Sequence, residues 1–278
     1  MVKFFVLSRF IVRFYKSNIV FLYFLVISHN LNSNTFSNFN SKYPIYADLH
    51  THSISSGHGS EDTITDMIRC ASESGLSLFG ISDHGPATSS SAKPSYFQSL
   101  KLADRDRFGI RVLYGAELNI INTAGDVDLD DEILSALDYA IISIHPPIFK
   151  PYHDKDLSSA YIRAMDHPKV RFLGHIDDAR FPVDFEYLLE IAKEKHVYPE
   201  INNGSLMPDA YRINGQENCR RILSICKKLD LPVLLSSDSH GKKNIGNMQY
   251  IFPLLEELDF PAHLVLNSDL SVLSEIIR

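Results

Sequence analysis

The chain has no tryptophan and only three cysteines among its 278 residues, Cys70, Cys219 and Cys226. An odd count with no C-x-x-C pair argues against a secreted disulfide framework, and a reducing, cytoplasmic setting is the expectation. Cys219 and Cys226, seven apart, suit one buried face of a helix. A basic excess is missing too: the formal net charge is −7 and the pI about 5.9, which speaks against an extended nucleic-acid surface. A local positive centre built from metal ions would not enter that count. Also lacking is a run long enough to span a bilayer, since Ile19 to Ser28 is about half of the roughly 20 apolar residues required.

That run belongs to a first segment unlike the rest. Lys3, Arg9, Arg13 and Lys16 precede it, and an Asn/Ser-rich stretch follows to Lys42 with no acidic residue. The order is that of a signal or short anchor, without a clean small-residue cleavage site. Residues 1–42 are therefore expected to be an N-terminal extension, either a start assigned too far upstream or an export or anchoring segment. Only in the second case would the protein meet a membrane or leave the cytoplasm. Residues 43–278 carry the fold.

What is present from Tyr43 onward is a repeating strand and helix pattern whose length suits one α/β barrel of roughly 230 to 250 residues. The first strand lies in Ile45 to Ser53, IYADLHTHS, and His50 and His52 share a face of an extended backbone, with Asp48 placed to support them. Ser60 or Asp62 can cap a helix to about Ser74. Further strands are expected at Leu76–Ser82, Arg111–Ala116, Tyr139–Ile144, Val170–Leu173, Val197–Ile201 and Pro232–Ser237, with helices before Phe108, from near Asp184, and over Glu217–Leu229.

Six of these seven strands run directly into residues able to bind metal. The candidates are His50, His52, His58, His84, Glu117, His145, His175, Asp238 and His240, seven of the twelve histidines plus two carboxylates. In a closed parallel barrel the strand C-termini share one rim, so residues far apart in sequence converge there. His29, His153, His167, His196 and His263 fall in loops or helix ends and read as surface residues. Nine ligands exceed the four or so of one zinc ion, so two or three ions sharing a carboxylate are expected, with Glu117 as the natural bridge.

The motifs D-L-H-T-H-S at Asp48–Ser53, His58, S-D-H-G-P at Ser82–Pro86 and G-A-E-L-N-I at Gly115–Ile120 resemble those of the polymerase and histidinol phosphatase (PHP) superfamily. So do His145, G-H at Gly174–His175, E-I-N-N at Glu200–Asn203 and S-D-S-H at Ser237–His240, and the nearest type is the YcdX-like bacterial phosphatase. The resemblance implies a distorted (β/α)7 TIM-like barrel, the PHP fold, with three Zn2+ per chain, or Mn2+ or Fe2+ in their place. It implies that His50, His52, Glu117 and Asp238 hold one ion, that Glu117 bridges to a second held by His145 and His175, and that His58, His84 and His240 hold the third. Glu117, Asp238 and His240 are the catalytic expectation. The sequence departs from the family after its fifth-strand histidine, where Ile176-Asp177-Asp178-Ala179-Arg180 replaces an early proline, and at His145, which precedes Pro146-Pro147 rather than an acidic residue.

Divalent charge offset by only two carboxylates attracts a phosphate dianion, and metal ions lower the pKa of a bound water to about 7. The expected reaction is hydrolysis of a small phosphate monoester by a metal-activated hydroxide, with no phospho-enzyme. Arg180 and Arg212 are candidates for a further phosphate contact. The alternatives are a phosphodiesterase or nuclease of the same fold, which needs a basic and aromatic groove, and an amidohydrolase-type barrel, which normally has eight strands. The oligomeric state and the leaving group are left open.

Overall fold

Seven apolar, β-rich runs make the parallel sheet of this computed structural model, which describes residue 40 and residues 42–146, 148–149 and 155–278. The strands are β1 Ala47–Asp48, β2 Thr51–His52, β3 Leu78–Ile81, β4 Asp106–Arg107, β5 Ile110–Asn119, β6 Tyr139–Ser143, β7 Val170–Leu173, β8 Tyr198–Asn202, β9 Leu234–Ser236 and β10 Ser239–His240. The main sheet runs in the order β1-β3-β5-β6-β7-β8-β9, all parallel, with β4 added antiparallel to β5. This is the expected seven-stranded, TIM-like barrel, wrapped by helices. Apart from Asn40 and Lys42, the expected extension lies outside the described residues, as do His29 and His153.

The barrel is distorted at two places, a register shift between β6 and β7 at Ala140/Ile141 and the seam between β1 and β9. At that seam the side chain of Asn267, fully buried, acts as a surrogate strand: Nδ2 donates to Ala47 O and Leu235 O, each at 2.8 Å, and Oδ1 accepts from Leu235 N at 2.8 Å. At the C-terminal rim the chain closes the seam itself, because β2 pairs in parallel with β10, Thr51 opposite Ser239 and His52 opposite His240. Asp48 sits between these two closures. Its carboxylate accepts from Ser237 Oγ at 2.5 Å and Gly246 N at 2.8 Å, so it straps β1 to the end of β9 rather than supporting an imidazole, which corrects the sequence expectation.

Alternation along each strand separates two apolar regions. Phe79, Ile81, Val112, Tyr114, Ala116, Ala140, Ile142 and Leu173 face the helices. Leu78, Leu113, Tyr139, Ile141, Phe172 and Leu234 fill the barrel's lower interior. Tyr139 occupies the centre and donates to Leu49 O at 2.5 Å. The inward positions beside it are glycines for want of room: a Cβ on Gly80 would lie 2.3 Å from the Tyr139 hydroxyl, and one on Gly115 2.8 Å from its ring.

The helices are α1 Ile64–Glu73, α2 Pro94–Ser99, α3 Asp131–Leu134, α4 Ser158–Ala164, α5 Phe185–Glu194, α6 Gly215–Leu229, α7 Phe252–Glu257 and α8 Leu270–Ile276. α1 starts later than expected because Thr63 and Asp66 form a reciprocal capping box, each side chain accepting from the other's backbone N at 3.2 Å. Asp62 instead accepts from Lys242 N. Asp184 caps α5 as expected, and α6 begins two residues earlier than Glu217. Cys219 and Cys226 are buried along α6. Among the described residues, no helix is long and apolar enough to cross a membrane.

Candidate metal centre

Above Tyr139 the inward positions of the same strands become polar. Glu117 and Asn119 on β5, Ser143 on β6, Glu200 and Asn202 on β8 and Ser236 on β9 are all fully buried. Glu117 therefore stands inside β5, which runs on to Asn119, and not just past a strand end as the sequence suggested. The rim loops bring His50, His84, His145, His175 and Asp238 over these residues, and the short strands β2 and β10 bring His52 and His240.

Glu117 is the hub. Its Oε2 lies 2.6 Å from His84 Nδ1, 3.4 Å from His50 Nε2 and 3.5 Å from His52 Nε2, and its Oε1 lies 2.8 Å from His175 Nε2 and 3.3 Å from His145 Nε2. Asp238 Oδ1 is 3.2 Å from His52 Nε2 and 3.7 Å from His50 Nε2. Three overlapping groups have mutually close donor atoms: His50, His52 and Asp238; His84, Glu117 and His145; and His52, His84 and His240. His58 is exposed and joins through its ring, 4.9 Å from that of His84 and 5.1 Å from that of His240. All nine predicted residues thus come to one place, while His167, His196 and His263 stay outside it and none of the three is buried.

The hydrogen bonds behind the rings fix their tautomers. His50 Nδ1 faces Glu200 Oε1 at 2.5 Å, and a carboxylate can only accept, so Nδ1 carries the proton. Ser56 Oγ donates to Asp83 Oδ1 at 2.7 Å, which leaves it to accept from His52 Nδ1 at 3.0 Å. Asn119 Nδ2 donates to the Asp128 carboxylate at 2.6 Å, which turns Oδ1 to accept from His145 Nδ1 at 2.7 Å. His240 Nδ1 donates to the carbonyl of Asp238 at 3.1 Å. In the neutral ring of each, Nε2 is then a bare lone pair aimed into the cluster.

Five of the converging atoms, His50 Nε2, His52 Nε2, His84 Nδ1, His240 Nε2 and Glu117 Oε2, are buried without a hydrogen-bond partner among the described residues. Lone pairs facing one another out of water are costly unless a cation lies between them. The donor set, imidazole nitrogen with carboxylate oxygen, is that of a zinc-type ion, and the residues present fit one. The electrostatics agree. Burial opposes charge on Glu117, yet His145, His84 and His50 hold its carboxyl well below the usual range; Asp238 is held down likewise by His50 and Arg212. Burial alone would lower His50, but Glu200, Glu117 and Asp238 raise it well above the ordinary imidazole value. Burial, with His240 and His84, drives His52 well below it. Without a cation, the site takes positive charge from a proton on His50.

Two rim residues have left-handed backbones, His175 at φ 28° and Asp238 at φ 52°, conformations that non-glycine residues hold only when their surroundings impose them. Glu200 supplies part of that restraint, accepting from His175 N at 2.7 Å and from Asn202 Nδ2 at 3.2 Å, with Ser236 Oγ as a further donor to its other oxygen. Its role was not readable from sequence alone, where the E-I-N-N motif marks it without showing which ring it orients. Ser56, Asp83 and Asn119 were missed for the same reason. Of the two arginine candidates, Arg180 is forked onto Asp178 and lies 4.0 Å from the Tyr211 ring centroid, and Arg212 donates to Asp238 Oδ2 at 2.8 Å.

Residues 48–204 match the PHP domain, and a probable phosphatase of Clostridium acetobutylicum is 36% identical over 231 residues, 83% of this chain and 93% of that protein. The chain belongs to the PHP family. A probable phosphatase of Clostridium novyi matches this PHP chain at 35% identity over 222 residues, 80% of this chain and 90% of that one. The PHP barrel also superposes on the histidinol phosphate phosphatase of Lactococcus lactis, solved with zinc, L-histidinol and phosphate, at TM-score 0.54 and 20% identity, covering 77% and 94% of the two chains. A chain of archaeal ribonuclease P, solved with mature tRNA, reaches the same TM-score at 18% identity, covering 83% and 89%. The fold is common to both, so the choice of substrate has to come from the site.

Proposed function

We propose that this PHP protein is a metal-dependent phosphoesterase that hydrolyses a small phosphate monoester at a cluster of three divalent ions. The observation that carries this reading is the set of buried imidazole nitrogens on His50, His52, His84 and His240 that converge with Glu117 and Asp238 and lack a hydrogen-bond partner among the described residues, an arrangement that divalent cations relieve. His50, His52, Glu117 and Asp238 would hold one ion, Glu117 with His145 and His175 a second, and His58, His84 and His240 the third. Contact of Glu117 with five imidazoles suits a bridging carboxylate. The relatives named as phosphatases and the zinc and phosphate in the Lactococcus structure support zinc as the ion and phosphate as the group acted on.

When bound, such ions polarise the phosphate oxygens and lower the pKa of a coordinated water towards about 7. The chain's own residues do the rest. His50, His52 and Glu117, with side chains at most 1% exposed, form the floor, whereas His145 at 18%, His240 at 26% and the exposed His58 form the side open to solvent. A phosphate group arrives over that open side and meets a site in which His50, His52, His145 and His240 are already held by hydrogen bonds behind their rings. Asp238 and His240 border the opening, where the leaving group departs. The net charge of −7 argues against an extended basic track for nucleotides flanking a scissile diester, and this favours monoesters.

The test is a substrate screen on metal-loaded protein with phosphate monoesters and diesters of matched leaving group. Faster monoester turnover is expected. Diester turnover exceeding it would assign the site to the nuclease-like reading.

A further inference from the structure

Arg212 lies in the chain between β8 and α6, and its side chain is only 14% exposed. A phosphate-contacting arginine presents its fork to solvent or ligand, yet here both terminal nitrogens are taken up by the protein. One donates to Asp238 Oδ2 at 2.8 Å; the other lies 3.3 Å from both Asn202 Oδ1 and Ser205 Oγ. Asn202 Nδ2 reaches the same Asp238 Oδ2 at 3.1 Å. That oxygen therefore receives two donors, one of them charged, while Oδ1 alone faces His50 and His52. Asp238 also has the left-handed backbone, so its side chain needs an anchor away from the cluster.

We propose that Arg212 is a positioning residue for the candidate metal centre: with Asn202 it clamps Oδ2 of Asp238, so that Asp238 meets an ion through Oδ1 alone. This rests on the metal-centre reading above and differs from a role in gripping the substrate's phosphate. The guanidinium suits the task because it is planar, permanently charged and able to bond Asp238 and the Asn202–Ser205 pair at once. A lysine ammonium supplies the charge but not the planar fork. Asp177 is fully buried, with neither oxygen hydrogen-bonded among the described residues; burial pushes its carboxyl up to about 6, and the Arg212 charge pulls the other way.

The experiment uses the full chain, stripped of metal and titrated with Co2+ as a spectroscopic probe, in wild type, Arg212→Met and Arg212→Lys. Binding of inorganic phosphate to each protein at saturating Co2+ is measured by calorimetry. The expected result is a Co2+ affinity 10- to 100-fold weaker in Arg212→Met, partly restored in Arg212→Lys, with an altered d–d spectrum and phosphate affinity within about threefold of wild type. Unchanged Co2+ affinity with phosphate binding weakened tenfold or more would overturn the proposal and make Arg212 a substrate contact. If the methionine variant does not fold, the lysine variant decides: wild-type Co2+ affinity and spectrum refute the clamp. Wild-type protein that binds Co2+ but no phosphate would count against the phosphatase reading and leave the clamp to be judged on the metal titration.

Discussion

The lower and upper halves of the barrel interior are built from the same strands with the same alternation, and they differ in what they do with water. Below, Leu78, Leu113, Tyr139, Ile141, Phe172 and Leu234 exclude it and make a dry plug. Above, Glu117, Asn119, Glu200, Asn202 and Ser236 are equally buried but polar, and over them His50, His52, His84 and His240 each hold a buried ring nitrogen with no hydrogen-bond partner among the described residues. The lower half is satisfied by packing and the Tyr139 hydrogen bond to Leu49 O, whereas the upper half, on the proposed reading, is completed by cations. One period-2 pattern thus yields a scaffold and a site a few residues apart.

Breaking the upper half at its hub should have the largest effect. Glu117→Gln removes the charge nearest five imidazoles and is expected to lower phosphatase activity by at least about 100-fold, with a matching fall in bound metal by elemental analysis. His58→Ala, on the exposed edge, should cost clearly less, and equal losses would contradict the arrangement. Breaking the lower half should do the reverse: Phe172→Ala is expected to destabilise the protein by about 3 to 5 kcal/mol in urea unfolding, while metal bound per folded molecule stays near wild type.

The comparison sharpens with pH. In metal-free protein the carboxylates around His50 raise its pKa above the ordinary value, so near neutrality that ring is protonated and a cation must displace the proton. Affinity should therefore fall as pH drops from 8 to 6, and calorimetry in buffers of different ionisation enthalpy should register proton release on binding. No proton release at pH 7 would sink the assignment of His50. The smallest effect is expected for Ser56→Ala, which removes the acceptor behind His52 Nδ1 and should weaken metal binding by roughly tenfold without changing the fold.

Much of this was legible in the sequence because apolar β-rich runs ending in histidine mark barrel strands and their rim together. Val170–Leu173 before His175 and Tyr139–Ser143 before His145 are direct cases. Glu117 was found, but its place inside β5 was not, since Leu118 faces the helices and Asn119 the site, and local pattern alone does not extend the strand past a buried glutamate. Asp48 was misassigned because proximity in sequence suggested service to His50, when its partners lie about 190 residues away at Ser237 and Gly246. Glu200 behind His50 and Asn267 in the seam depend on contacts between distant strands, which no single stretch reveals.

The most direct test of the claim that bare imidazole nitrogens converge on shared cations is elemental analysis of the purified protein before and after chelation, with phosphatase activity assayed on the same samples. The account predicts several divalent ions per chain, activity that disappears as they are stripped, and recovery on adding zinc or manganese. Full activity in a preparation free of bound metal would contradict it.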